Sequence, residues 1–236
     1  MGILNVTPDS FYPGSRTPVG AVDDIRRRAA ALLEQGADII DVGGYSTRSG
    51  AEVVSVDEEL RRIETGVGAV RELSSDIPVS IDTFRSEVAR KGVLNMGADI
   101  INDVSGGLLD NKMFDTVASL GVPYILMHMR GTPDSMTRLT DYPQGVVAGV
   151  AAELSGKLRE LSLRGVSDVI VDPGFGFAKT AGQNFELMAA LPGLERLLGR
   201  PILVGVSRKS MIYKSLGITP AEALPGCTGS ESVGAF

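Results

Sequence analysis

The chain has 236 residues, of which 43% are hydrophobic and 22% charged, and its formal net charge is −6. This composition suits one globular domain with a large core. The negative charge and the lack of a Lys/Arg tract argue against nucleic acid as a partner, and no apolar run reaches the roughly 20 residues of a membrane-spanning helix. The single cysteine, Cys227, excludes an internal disulfide and fits a reducing compartment, so we expect a cytoplasmic location.

Seven apolar runs of strand length alternate with helical patterns along the chain. The runs are rich in Val and Ile and apolar on both faces, as is typical of parallel strands covered by helices on both sides. We predict strands at 2–6, 38–42, 78–82, 98–102, 122–127, 168–172 and 201–206. Helical patterns occupy 20–35, 57–74, 85–96, 111–120, 144–164 and 184–198, and another helix starts near 208.

This alternation predicts an α/β fold with one domain over 1–236. Parallel strands joined by right-handed crossovers suit either a (β/α)8 barrel or an open doubly wound sheet. Polar residues follow almost every predicted strand, which favours the barrel because an open sheet would concentrate them at one switch point. We therefore predict a (β/α)8-type barrel with seven recognisable strands, and 224–236 reads as an irregular tail without a strand pattern.

The polar residues at the predicted strand ends are the candidates for chemistry. They are Asn5, Thr7, Asp41, Asp82, Asn102, Asp103, His128, Asp172, Ser207, Arg208 and Lys209. Unpaired carboxylates at such positions are costly to desolvate, and a flat heterocycle with N–H donors would satisfy them, with Lys209 balancing the charge. Structural interpretations also stand: Asp41 would cap the turn at Gly43 and Gly44, and His128 would be an internal hydrogen-bonding residue. As the only histidine, His128 excludes a cage of several histidines around a metal.

Seven short motifs lie at or near these strand ends. They begin at residues 1, 41, 80, 101, 126, 172 and 206 and read MGILNVTPDSF, DVGGYSTR, SIDTF, INDVSGG, LMHMRGTP, DPGFGF and VSRKS. Over nearly the whole chain, in this order, they resemble the motifs of the dihydropteroate synthase family of pterin-binding enzymes. Seven ordered motifs are a specific signal, whereas one glycine-rich loop alone would be weak.

The resemblance implies a TIM-type barrel that acts as a transferase in folate biosynthesis and is a sulfonamide target. The reaction would condense 6-hydroxymethyl-7,8-dihydropterin diphosphate with p-aminobenzoate and release 7,8-dihydropteroate and pyrophosphate. It also implies a homodimer, Mg²⁺ as cofactor at Asn5, and catalytic roles for Asp82, Asp172 and Lys209. The implied substrate contacts are Thr47, Arg48, Asp82, Asn102, Met127, Asp172, Phe177, Gly205, Lys209 and Ser210.

The chain departs from the family pattern in two loops and at its end. Ser49 stands where the family usually has Pro, and Pro13 stands where many members have Asp, so we expect altered loop stiffness near the second-substrate pocket. The family's last strand, with its Arg-x-His motif, has no counterpart, and we expect lower stability and impaired activity. The alternatives are an inactive or partner-dependent pterin-binding fragment, a pterin-binding methyltransferase acting on methyltetrahydrofolate, and a generic phosphate-binding barrel.

Overall fold

The computed structural model describes residues 1–7, 22–46 and 53–223. The chain divides into two compact units, of which the first comprises Met1–Asp103 and Leu109–Tyr124. The second comprises Val104–Leu108 and the chain from Ile125 onward. One domain over 1–236 stays a prediction, and the predicted tail lies outside the described residues, as do Pro13, Thr47, Arg48 and Ser49.

The first unit is built on four parallel strands that pair in sequence order. They are β1 Gly2–Asn5, β2 Ile40–Gly43, β3 Val79–Asp82 and β4 Ile100–Asp103. Asn5 lies beside Gly43, Gly43 beside Asp82, and Asp82 beside Asn102. Residues at one level of a parallel sheet point to the same face. The register therefore brings together polar residues from three separate strand ends.

Within the described part of this unit, four helices accompany these strands. They are α1 Val22–Glu34, α2 Val56–Leu73, α3 Ser86–Met96 and α4 Met113–Leu120. Ser55 caps α2 because its side chain accepts a hydrogen bond from the N–H of Glu58 at 3.2 Å. Two interior glycines allow close packing: a Cβ on Gly66 would lie 2.5 Å from Val42 Cγ1, and one on Gly92 would overlap Ile81 Cδ1. α2 and α3 thus approach the sheet more closely than any larger residue would permit.

As far as residue 223, the second unit contains most of β5 and all of β6, with four helices and a short turn. The strands are β5 Tyr124–Met127 and β6 Val169–Asp172. The helices are α5 Val146–Leu163, α6 Ala181–Ala189, α7 Leu191–Leu198 and α8 Ser210–Leu216, and a 3₁₀ turn spans Met136–Arg138. The N–H of His128 donates to the carbonyl of Asp172 at 2.8 Å, so the ends of β5 and β6 lie side by side.

The predicted seventh strand at 201–206 is wrong as a full strand. Within the described chain only Ile202 bridges to a neighbour, Val171 of β6, and the N–H of Leu203 donates to the carbonyl of Val171 at 2.8 Å. The next parallel bond would run from the N–H of residue 173 to the carbonyl of Leu203. Residue 173 is proline, which has no N–H, so the ladder stops there.

The predicted helix at 184–198 is two helices, α6 and α7. Pro192 lies in the first turn of α7, where its missing N–H costs nothing. In one continuous helix the ring of Pro192 would clash with the carbonyl of Met188. Among the described residues, no helix has the length and the apolar character needed to cross a membrane.

Candidate active site

Gly43 leaves a gap in a row of polar side chains at the carboxyl ends of β1 to β4. A Cβ at Gly43 would lie 2.9 Å from Asn5 Oδ1 and 3.6 Å from Asp82 Oδ2. The amide of Asn5 and the carboxylate of Asp82 therefore face the same small space, with Asn102 next to Asp82 in register. Three predicted site residues from three strands are thus brought together by the first unit alone.

Asp41 lies two residues before Gly43 on β2 and is 4% exposed. The amide Nδ2 of Asn102 donates to Asp41 Oδ2 at 3.1 Å. Asp41 Oδ1 is buried without a hydrogen-bond partner in the described part of the chain. The expected cap on the turn after β2 is therefore wrong, and Asp41 instead orients Asn102 and retains an unsatisfied acceptor.

Burial makes the first unit's carboxylates hard to ionise. It raises the pKa of Asp41 to about 6, and the nearby hydroxyl of Ser80 and the amide of Asn102 oppose the shift. Burial also raises the pKa of Asp82 well above its usual range, and the negative charges of Asp41, Glu59 and Asp103 add to the effect. Such a site favours a ligand that donates hydrogen bonds or carries positive charge.

The other strand-end aspartate of this unit, Asp103, has a structural role. It is fully buried and accepts a hydrogen bond from the hydroxyl of Tyr124 at 2.7 Å. Asp103 follows Asn102 directly, so its side chain points to the opposite face of β4. Burial, with the adjacent charge of Asp103, raises the pKa of Tyr124 well above its usual range, so the phenol stays a donor.

An ion pair beneath the sheet end was missed from the sequence. Glu59 on α2 is fully buried, and its carboxylate accepts from Thr83 Oγ1 at 2.6 Å and from Arg85 at 2.7 Å. Arg85 also donates to the carbonyl of Val54 at 2.7 Å and lies 5.0 Å from the Tyr45 ring centroid. This network fixes the turn that follows Asp82. Glu59 is 24 residues from Thr83 and 26 from Arg85. No periodic pattern in the sequence connects residues so far apart.

The second unit brings three further candidates, Phe177, Gly205 and Lys209, close to Asp172 or to the loop that follows it. The N–H of Gly174 donates to Asp172 Oδ1 at 2.7 Å, and a Cβ on Gly205 would lie 3.7 Å from Asp172 Oδ2. Burial raises the pKa of this carboxyl, and the charge of Lys209 opposes the rise. Lys209 Nζ donates to the carbonyl of Phe175 and lies 4.7 Å from the centre of the Phe177 ring. Burial lowers the pKa of Lys209, and Asp172 opposes that shift.

Two predicted contacts are less well defined by the geometry. Met127 is buried at the end of β5, and Ser210 begins α8 with an exposed side chain. Their roles as substrate contacts stay predictions, as do those of Thr47 and Arg48 outside the described residues. Arg208, beside the predicted Lys209, has a positive φ of 51°, which turns the chain sharply before α8.

A buried hydrogen-bonded chain through His128 was found only in the structure. His128 is 1% exposed, with Nδ1 3.0 Å from Lys179 Nζ and Nε2 3.1 Å from Glu153 Oε2. Burial lowers the pKa of His128 to about 4 and that of Lys179 to about 7, the latter shift opposed by Asp172. The structural interpretation of His128 is therefore correct. The sequence singled out neither Lys179 nor Glu153.

The metal question depends on Asn5. The described ranges contain no group of three or more His, Cys, Asp or Glu side chains that could hold a metal ion. Mg²⁺, however, is usually held by one or two protein oxygens together with substrate phosphates and water. The amide oxygen of Asn5 borders the small space that the missing Cβ of Gly43 leaves, and such an oxygen fits that mode.

Comparison with known proteins decides the family. The model of the pterin binding enzymes matches residues 1–227. The chain belongs to the pterin binding enzyme family. It is 45% identical over 226 residues to dihydropteroate synthase of Synechocystis, with 92% of this chain and 73% of that protein covered. It is 40% identical to that of Clostridium beijerinckii, with coverage of 99% and 83%.

Longer relatives and solved structures agree with this. The chain is 46% identical to the folic acid synthesis protein fol1 of Schizosaccharomyces pombe, but spans only 26% of it. The dihydropteroate synthase of Yersinia pestis, solved with a sulfonamide drug, matches with a TM-score of 0.89 and 34% identity over 99% of this chain and 83% of that one. The Xanthomonas albilineans enzyme with 4-aminobenzoic acid matches at 0.85 and 37% identity, with coverage of 99% and 82%.

These matches confirm the resemblance to dihydropteroate synthases, the transferase class and the TIM-type α/β fold. The solved relatives contain small-molecule ligands, among them aminobenzoate and dihydropteroate. The roles of individual site residues, the magnesium ion and the dimer go beyond what the matches establish.

Proposed function

We propose that this chain condenses 6-hydroxymethyl-7,8-dihydropterin diphosphate with p-aminobenzoate, giving 7,8-dihydropteroate and pyrophosphate. The observation that carries the proposal is the cluster of acceptors in the first unit. Among the described residues, Asp41 Oδ1 is buried without a hydrogen bond of good geometry, and Asp82 lies where burial and neighbouring charge disfavour a bare carboxylate. A pterin ring has adjacent amino and ring N–H groups, which would supply the hydrogen-bond donors that these acceptors need.

The residues would act on the substrate in separate ways. Asp82 and Asn102 of the first unit would accept and donate at the edge of the pterin ring. For Asp172, in the second unit, the family resemblance implies a contact with a pterin N–H. Lys209 would donate to a ring acceptor, while the Phe177 ring and the ammonium of Lys209 hold each other in place at 4.7 Å. Charge-assisted hydrogen bonds of this kind are worth on the order of 1.5–3 kcal/mol each.

The bond changes balance without an added oxidant or strong base. The amine nitrogen of p-aminobenzoate attacks the methylene carbon attached to the pterin, the carbon–oxygen bond to pyrophosphate breaks, and the nitrogen then loses a proton. Positive character on the ring and methylene carbon in the transition state would be stabilised by nearby carboxylates. Mg²⁺, held by Asn5 and the diphosphate, would stabilise the charge of the departing pyrophosphate.

Two finer expectations belong to the same proposal. Sulfonamides would compete with p-aminobenzoate, as the drug complex of the Yersinia pestis relative suggests. The chain would form a homodimer, which sedimentation at several concentrations tests, and its cytoplasmic location stays a prediction. An inactive pterin-binding fragment, the alternative, would bind the pterin diphosphate without turnover.

The deciding experiment is pyrophosphate release with both substrates and Mg²⁺. Wild-type protein should release pyrophosphate only when p-aminobenzoate is present, and Asp82→Asn and Lys209→Met should each lower kcat/KM by about 100-fold. Asp76→Asn, on the exposed turn before β3, serves as the control. Methyl transfer from methyltetrahydrofolate without pyrophosphate release would favour the methyltransferase instead.

A further inference from the structure

Lys179 is buried in the second unit with all of its donors engaged. Lys179 is 8% exposed. Nζ lies 3.0 Å from each of three acceptors, which are the carbonyls of Gly174 and Phe177 and Nδ1 of His128. An ammonium group has three N–H donors, so each one is used. None of the three acceptors is a carboxylate, so this lysine is not simply half of an ion pair.

Two of these acceptors lie in the loop that follows β6, at residues 173–177. The Gly174 peptide is held at both ends, because its N–H donates to Asp172 Oδ1 at 2.7 Å while its carbonyl accepts from Lys179. Gly174 has a φ of 70°, and a Cβ there would overlap the carbonyl of His128. These contacts restrict the loop to one backbone conformation, and Lys179 is the cation that stabilises it.

Lys209 binds a different carbonyl of the same loop. Its Nζ donates to Phe175 O, between the two carbonyls that Lys179 binds, and lies over the Phe177 ring. The position of Lys209 thus depends on a backbone that Lys179 arranges. Moving the loop would displace both Asp172, through the Gly174 N–H, and Lys209, through the Phe175 carbonyl.

His128 presents an acceptor to Lys179 because its other nitrogen is committed. An ammonium cannot accept, so Nδ1 carries the lone pair and Nε2 carries the hydrogen, which it donates to Glu153 Oε2 at 3.1 Å. Arg130 Nε in turn donates to Glu153 Oε1 at 2.9 Å. Glu153 therefore fixes the tautomer of His128, and this tautomer supports Lys179.

We propose that Lys179 is a positioning residue for the reaction, which sets loop 173–177 so that Asp172 and Lys209 meet the pterin substrate in the productive geometry. This inference rests on the proposed function. Lys179 does not touch the reacting atoms. Its charge and three donors act through the loop backbone.

Two substitutions of Lys179 grade the loss of donors. Lys179→Met keeps the chain length without any donor, and Lys179→Gln keeps an amide without the charge. Assayed at about pH 6, below the lowered pKa of Lys179, Lys179→Met should reduce kcat/KM for pterin diphosphate by about 100-fold. Lys179→Gln should reduce it by about 10-fold. The KM for p-aminobenzoate should change by less than about 2-fold. The control is Lys91→Met, which removes an exposed lysine from α3.

A purely structural role gives a different result. In that case melting temperature falls, but kcat and KM per folded molecule match those of the Lys91→Met control, and the proposal is overturned. Wild-type protein that releases no pyrophosphate defeats the proposed function alone. Calorimetric titration of the same variants with pterin diphosphate then decides the role of Lys179, since a loop out of place should weaken binding by about 10-fold or more.

Glu153→Gln provides a second test that does not alter the buried lysine. The Gln amide nitrogen can donate to His128 Nε2, which favours the tautomer with hydrogen on Nδ1, facing the ammonium of Lys179. Glu153 is 37% exposed, so the fold should survive the change. We expect a decrease of about 3- to 10-fold in kcat/KM or pterin affinity. Equal values for Glu153→Gln and for Glu160→Gln, an exposed residue on the same helix, would overturn the inference.

Discussion

Gly43→Ala tests whether the space between Asn5 and Asp82 is functional. The added Cβ would lie 2.9 Å from Asn5 Oδ1 and 3.6 Å from Asp82 Oδ2. The first distance is shorter than an ordinary carbon–oxygen contact by about 0.5 Å, so the amide of Asn5 has to turn away. The contact at Asp82 is ordinary and requires no movement.

The expected effect falls on the site and not on the fold. The clashing atom belongs to the terminal amide of the Asn5 side chain, which can rotate, so relaxing the contact should cost about 1 kcal/mol. This cost corresponds to a decrease in melting temperature of about 2–4 °C for a chain of this size. Displacing a ligand-binding group by about 1 Å can lower activity by about 100-fold. We therefore expect kcat/KM to fall by about 10- to 100-fold and the Mg²⁺ concentration for half-maximal rate to rise.

The assay is pyrophosphate release against Mg²⁺ concentration, with thermal unfolding of the same preparations. Gly156→Ala is the matched control, because a Cβ on this glycine of α5 meets nothing within 4 Å. That substitution should stabilise the protein by about 0.5–1 kcal/mol and leave the rate unchanged. A Gly43→Ala protein as active as Gly156→Ala, with the same Mg²⁺ dependence, would refute the reasoning.

Three further substitutions test packing and charge in the first unit. Gly92→Ala should destabilise by about 1–3 kcal/mol in urea unfolding, because its Cβ would overlap Ile81 Cδ1. Arg85→Met should cost about 3–5 kcal/mol, since it leaves the carboxylate of Glu59 buried without its cation. Asp41→Asn should stabilise the protein near pH 7 by on the order of 2 kcal/mol. The gain should vanish near pH 4, because the pKa of Asp41 is raised to about 6 in the folded protein from 3.8.

The sign of the pH effect follows from where the proton is held. Between about pH 4 and pH 6 the folded protein retains a proton on Asp41 that the unfolded chain has released. The contribution of protonated Asp41 to the free energy of unfolding is therefore fully present below about pH 4 and is lost as pH rises through about 6. A difference between Asp41→Asn and wild type that stays constant over this range would contradict the shift. For the packing variants, Gly68→Ala in α2, where a Cβ meets nothing within 4 Å, is the control. A Glu59→Gln, Arg85→Met double variant should recover stability relative to Arg85→Met alone.

The sequence predicted six of the strands and the family because those depend on local patterns. The Val and Ile runs before Asp41, Asp82 and Asp172 specify buried strands, and the motifs that follow them are contiguous. The seventh predicted strand fails for a non-local reason, since it is Pro173, on a different part of the chain, that ends its pairing. The division of 184–198 into two helices has a local cause, since Pro192 disfavours one continuous helix.

The sequence predicts where candidate residues lie when strand ends are involved. Asp82, Asn102 and Asp172 each lie at or next to the end of a strand, whereas Lys209 directly precedes α8. The supporting residues were not found because hydrogen bonds between positions such as 128 and 179 depend on the packing of the whole unit. Gly43 was noted only as part of a turn, although its missing side chain matters as much as the amide beside it.

Pro173 determines how far the chain after Ile202 stays attached to the sheet. Since the carbonyl of Leu203 receives no N–H from residue 173, the peptides from Val204 to Ser207 are released from strand geometry before the sharp turn at Arg208. Because Pro173 ends the pairing, the segment after Leu203 can bend and place the ammonium group of Lys209 at the loop after β6. Restoring that N–H with Pro173→Ala would extend the pairing by one rung and pull Lys209 away from the carbonyl of Phe175.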